Sequence, residues 1–207
     1  MKILQFLLIS LSHKILKILP YRLIRLLSVP IGTLYFLLTF RSSIKLFKRK
    51  KIFEKLKINY KPLIVKINYT RYWLETLWLT NKNFSKHITP HVEIENQEYV
   101  DKLKKQYPGL IFALPHLGNW EFAIPIGNSI KLNLLAVAEP LSNSYVLNWF
   151  KSLRESLGIE IIIGGKGQNT FDLLANKLIS GKDICLLSER SIKTVSYTHL
   201  TLPTTHC

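Results

Sequence analysis

At 207 residues the chain is long enough for one sizeable α/β domain with its own core, and too short for two large ones. Its 29 Lys and Arg against 13 Asp and Glu leave a net charge of +16, an excess that calls for an anionic partner. A hydrophobic fraction of 47% with a mean hydropathy of +0.13 argues against an ordinary soluble basic protein and for an anionic membrane surface, which attracts charge and apolar area together.

Met1 to Phe40 is the most apolar stretch, interrupted by Lys2, Lys14, Lys17, Arg22 and Arg25. Its longest uncharged run, Leu26 to Phe40, is 15 residues. A spanning helix needs roughly 20, and Pro20 and Pro30 are expected to break the segment further. No small-residue cleavage site follows, so a signal peptide is not supported. The stretch reads as helix lying in the membrane interface, its basic residues at the headgroups, with a buried core helix or one tilted span as alternatives. Arg41 to Lys57 follows, with eight Lys and Arg against one acid, Glu54. Beside an apolar segment such a run reads as juxtamembrane charge on the cytoplasmic side.

Tyr72 to Leu79 has apolar and aromatic residues at helical spacing and predicts a core-facing helix. From His91 the pattern becomes α/β. A short strand is expected over His91–Ile94, and a helix over Gln97–Tyr107 that ends at Pro108-Gly109. Leu110–Leu114 is a continuous apolar run, as a buried parallel strand should be. A helix begins at Trp120–Ile126. Strands follow at Leu134–Ala138, Ile159–Ile163 and Asp183–Leu187, alternating with helices at Tyr145–Leu157 and Thr170–Ile179. The fold class is therefore α/β: a mostly parallel central sheet flanked by helices, preceded by apolar membrane-associating helices. The division expected is a membrane-associating segment at 1–57, a catalytic domain at 58–193 and a tail at 194–207. That tail is rich in Thr and lacks any charged residue from Val195 onward. Ser196 to Thr204 resembles the translated read-through of a sequencing adapter, so a domain cut short near Lys193 is expected, and His199 and His206 carry no functional weight.

The two cysteines, Cys185 in an apolar run and Cys207 at the end, cannot make a disulfide framework. No Cys/His cluster has the spacing of metal ligands, so neither metal nor cofactor is expected. Gly164-Gly165-Lys166-Gly167 lacks the G-x4-GK[ST] pattern of a phosphate loop, although Lys166 remains a candidate contact for a donor phosphate.

The run His116-Leu117-Gly118-Asn119-Trp120-Glu121 carries chemistry. His116 follows a strand and a proline, and open parallel sheets place reactive groups beyond the carboxyl ends of their strands. Glu121 opens a helix, where the dipole favours a carboxylate. If Glu121 hydrogen-bonds one ring nitrogen of His116, it fixes the tautomer and frees the other to take a proton from a hydroxyl. Gly118 permits a tight turn and Asn119 can cap the helix.

Ala113-Leu114-Pro115-His116-Leu117-Gly118-Asn119-Trp120-Glu121 resembles the H-x4-D/E signature of the glycerolipid (lysophospholipid) acyltransferase superfamily. More narrowly it resembles the lipid A lauroyl/myristoyl acyltransferases and their actinobacterial branch, the phosphatidylinositol mannoside acyltransferases. Val137-Ala138-Glu139-Pro140-Leu141, Arg154 ahead of Leu157-Gly158, and Ile184-Cys185-Leu186-Leu187-Ser188-Glu189-Arg190 are similar to that branch. The similarity runs from about Tyr72 to Lys193. It departs at Glu189, where the branch usually has Asp, and at Ser191, where a second acid often follows.

The resemblance implies acyl transfer without a covalent enzyme intermediate, His116 acting as general base and Glu121 orienting it. It implies substrate-binding roles for Glu139, Arg154, Glu189, Arg190 and Asn119. It further implies an acyl thioester donor (acyl-CoA or an acyl carrier protein), a glycolipid acceptor, and a place on the cytoplasmic face of the plasma (inner) membrane, held monotopically or by one N-terminal span. The near alternative is a lipid A acyltransferase acting on Kdo2-lipid IVA with an acyl carrier protein. Alternatives of another class are a basic nucleic-acid-binding protein and a non-catalytic membrane-bound protein. No nucleic-acid partner is expected, since no matching motif accompanies the charge.

Overall fold

The computed structural model describes residues 2–40, 44, 53–55, 57, 59, 61–164 and 169–187. Most of the basic run 41–57 lies outside them. So do Lys166 with its flanking glycines Gly165 and Gly167, and all of 188–207, which includes Glu189, Arg190, Ser191 and the Thr-rich tail.

The apolar N-terminus forms two helices, α1 (Lys2–Leu16) and α2 (Tyr21–Leu38). Pro20 separates them as expected. It is extended (φ −67°, ψ 143°), and its carbonyl accepts the amides of Leu23 at 2.9 Å and Ile24 at 3.3 Å. Pro30 does not break α2, contrary to the sequence expectation. An interior proline removes one helical hydrogen bond, but packing outweighs the loss here. The face bearing Ile24, Ser28 and Gly32 is buried against α3 (Pro62–Trp78). Gly32 permits that approach, since a Cβ there would lie 2.6 Å from the Cα of Ile67.

These helices share one core with the rest of the chain. Leu16 and Ile24 are buried with Leu74, Leu77, Trp78 and Phe84. The Trp78 indole donates to the Leu19 carbonyl at 2.9 Å, and the His13 ring bonds the Leu77 carbonyl at 2.7 Å. After a short helix α4 (Phe84–His87) the strand expected at His91–Ile94 is absent: Thr89–His91 is a 3-10 turn, and Val92 packs into the helical core. A short apolar run cannot become a strand without a partner, and this one is drawn to a different layer.

The sheet contains β1 (Ile111–Leu114), β2 (Leu134–Ala138), β3 (Glu160–Ile163) and β4 (Asp183–Leu187), all parallel, in the order β1-β4-β2-β3. Helices α5 (Gln97–Gln106), α6 (Ala123–Ser129), α7 (Ser144–Ser156) and α8 (Thr170–Ile179) alternate with the strands. Leu134, Leu135 and Ile184 are buried at the sheet centre. Among the described residues β1 lies at the edge of the sheet, with Ile111 57% exposed, so it is less buried than the continuous apolar run predicts.

Asp183 ties the start of the sheet together. It is fully buried and accepts Lys104 Nζ at 2.8 Å and the amides of Leu110 at 3.0 Å and Asn133 at 2.8 Å. Neighbouring Cys185 is half-buried, and burial, followed by the Asp183 charge, pushes its thiol up to about 11. It is protonated at neutral pH and is no thiolate nucleophile.

Candidate active site

The parallel strands all end on one edge, where the chain leaves β1 at Leu114 and β2 at Ala138. β4 lies between these two, so their ends are about 10 Å apart at ordinary strand spacing. His116 follows β1 and Glu139 follows β2, and both are exposed.

The loop after β1 is built by local chemistry. The Leu117 amide bonds the Pro115 carbonyl at 2.8 Å, closing a tight bend. Gly118 then takes φ +64°, a left-handed conformation that side chains resist. Asn119 caps the next turn, its Oδ1 accepting the Glu121 amide at 3.2 Å. Trp120–Phe122 is a 3-10 turn that leads into α6.

Glu121 is 1% exposed. Arg154, from α7, grips its carboxylate with two donors, Nη2 at 2.5 Å from Oε1 and Nε at 3.1 Å from Oε2. Tyr72, from α3, donates its hydroxyl to Oε1 at 3.3 Å. Burial opposes the charge on Arg154, yet the hydrogen bonds and charge of Glu121 raise its pKa above the ordinary value. Burial, then the Glu121 charge, also raises the Tyr72 phenol, so it remains a donor.

Trp120 joins this pair to the histidine. The Arg154 guanidinium lies 5.3 Å from its ring, and the His116 ring meets it edge-on at 6.2 Å and 82°. Asn119 has a second partner besides its cap: its Nδ2 donates to Glu75 Oε2 at 3.0 Å, and Glu75 Oε1 accepts the Tyr21 hydroxyl at 3.0 Å.

Four of the expected site residues thus converge: His116, Asn119, Glu121 and Arg154. Arg154, for which the resemblance implies a substrate-binding role, holds the carboxylate of Glu121 with its guanidinium. Glu139 stands on the same sheet edge, one strand beyond the end of β4. Tyr72 and Glu75 were missed by sequence reasoning, which read their helix as core-facing. One signal was present: Glu75 is the lone acid in α3, and Tyr72 lies one turn before it.

A sequence profile described as bacterial lipid A biosynthesis acyltransferase matches residues 2–199. Among curated proteins, the chain is 30% identical over 129 residues to the phosphatidylinositol mannoside acyltransferase of Mycolicibacterium smegmatis, covering 60% of this chain and 41% of that protein. It is also 30% identical over 128 residues to the protein of that name from Mycobacterium tuberculosis, covering 60% and 40%. The chain therefore aligns with about two fifths of these relatives' length, 41% and 40% respectively.

Proposed function

The chain belongs to the bacterial lipid A biosynthesis acyltransferase family, and on that premise we propose that it moves a fatty acyl chain from an acyl thioester, acyl-CoA, to a hydroxyl of a phosphatidylinositol mannoside-type glycolipid. The observation that carries this reading is the position of His116: exposed at the carboxyl edge of a parallel sheet, on a loop fixed by a buried Glu121–Arg154 pair. His116 takes the proton of the acceptor hydroxyl as its oxygen attacks the thioester carbonyl. The tetrahedral intermediate collapses, the C–S bond breaks, and the leaving thiolate takes the proton from the imidazolium. Glu121 orients His116 and the turn that carries it. Glu139, with Glu189 and Arg190, binds the polar parts of the substrates, and Asn119 and Arg154 border them from the loop that they hold through Glu75 and Glu121.

The relatives' names support the mannoside acceptor, and the family's description supports lipid A as the second reading. Incubation with acyl-CoA or acyl carrier protein thioesters, each with a phosphatidylinositol mannoside or Kdo2-lipid IVA, separates them. The expected product is an acylated mannoside from acyl-CoA. Turnover confined to the acyl carrier protein with the lipid A precursor would overturn the choice.

The site of action is the cytoplasmic face of the plasma membrane. α2 is long and apolar enough to cross a bilayer, yet its 18 residues span about 27 Å against a hydrocarbon core of about 30 Å, and one of its faces is committed to α3. Leu4, Leu7, Leu8 and Leu11 of α1 are exposed, as are Leu26, Leu34 and Leu37 of α2. This favours helices lying in the interface. Changing Leu7, Leu8 and Leu11 together to Ser spares every core residue. Each buried leucine contributes roughly 1.5–3 kcal/mol, so sedimentation with anionic vesicles should fall at least tenfold. Unchanged pelleting would place the membrane contact elsewhere.

A further inference from the structure

We propose that Glu75 is a positioning residue, which through Tyr21 and Asn119 holds the His116 loop in register with the apolar helix α2. The proposal rests on the acyl-transfer reading of His116. Glu75 is the lone acid in α3 and is 6% exposed. A side chain needed there only to fill space would be apolar, because burying a carboxylate is costly. Both of its oxygens are used, on opposite sides: Oε1 accepts from Tyr21, the first residue of α2, and Oε2 accepts from Asn119.

The chemistry of the middle residue gives the relay its direction. A carboxylate only accepts, so it selects the NH2 end of the Asn119 amide. The oxygen end is then left facing the Glu121 amide, which it caps. Turning the Asn119 amide over would break both bonds at once. Glu75 therefore decides how the turn between His116 and Glu121 is capped, although it lies 44 residues away in sequence.

The test compares the unmodified protein, Glu75→Leu, Glu75→Gln and Tyr21→Phe in lipid nanodiscs. Acyl-transfer kinetics are measured together with NMR of labelled histidine, the His116 signal being assigned by its loss in His116→Ala. Glu75→Leu keeps the bulk and removes the acceptor. It should lower kcat by roughly ten- to a hundredfold, the scale expected for misplaced reacting groups, with KM for the donor unchanged. The His116 signal should broaden or split. Glu75→Gln keeps an acceptor for Asn119 and can donate to the Tyr21 oxygen, so it should restore most of kcat. Tyr21→Phe should give a smaller loss with the same signature.

A Glu75→Leu protein that melts earlier but keeps its kcat and its His116 signal would show Glu75 to be structural only and overturn the proposal. If Glu75→Leu does not fold, an unchanged kcat and His116 signal in Tyr21→Phe overturns it instead. Absence of turnover by the unmodified protein with every donor and acceptor refutes acyl transfer by this chain, which aligns with about two fifths of its relatives' length. The His116 signal then decides the positioning role alone.

Discussion

Replacing Arg154 with alanine is expected to destabilise the protein by about 3–5 kcal/mol, because it leaves the carboxylate of Glu121 buried without its cation. Glu121 is 1% exposed, so in the intact protein its carboxylate depends on protein donors and not on solvent. The Tyr72 hydroxyl at 3.3 Å is the other donor shown for that carboxylate, and one neutral hydrogen bond offsets little of a buried charge. Packing is lost as well, since the guanidinium lies 5.3 Å from the Trp120 ring and 5.5 Å from that of Phe150. Arg154→Lys should rescue only part, since an ammonium supplies a point charge and not a planar fork. Urea unfolding followed by tryptophan fluorescence measures the effect, which corresponds to a fall in Tm of roughly 10 °C for a chain of this size. The double variant Glu121→Gln/Arg154→Met removes both charges and should regain most of the stability without regaining transfer. A loss below about 1 kcal/mol for Arg154→Ala would mean that the pair is hydrated, in the range of surface ion pairs.

His116→Ala is expected to behave in the opposite way. Its ring is exposed and meets Trp120 edge-on. Removing it should change stability by no more than about 0.5 kcal/mol, the usual range for surface substitutions. General-base catalysis contributes about 10²–10⁴-fold, so acyl transfer should fall by that factor while vesicle binding and the melting curve stay unchanged. Mass spectrometry of the glycolipid after incubation with acyl-CoA reads the result. Near-normal acylation by this variant would remove His116 from the mechanism. Together the two variants separate a group that reacts from a group that holds the reacting loop.

The sequence by itself located β2, β4 and α8, whose observed bounds match the expected ones, and placed the H-x4-E run between a strand and a helix. These features are local. A strand of continuous apolar residues, a left-handed glycine at 118 and an asparagine cap at 119 are set by neighbours within a few positions. The tertiary structure decided what locality could not. Pro30 should end a helix by its own chemistry, yet α2 runs through it because α3 covers the adjoining face. Leu110–Leu114 reads as a buried strand, yet among the described residues β1 lies at the edge, since strand order depends on crossovers and not on composition. The Glu121 carboxylate is gripped by Arg154 from 33 residues away and met by Tyr72 from 49, while Glu75 reaches Asn119 across 44. A buried charge must find its partner wherever packing brings one within reach, so the identity of that partner resided in the fold and not in the spacing of the motif.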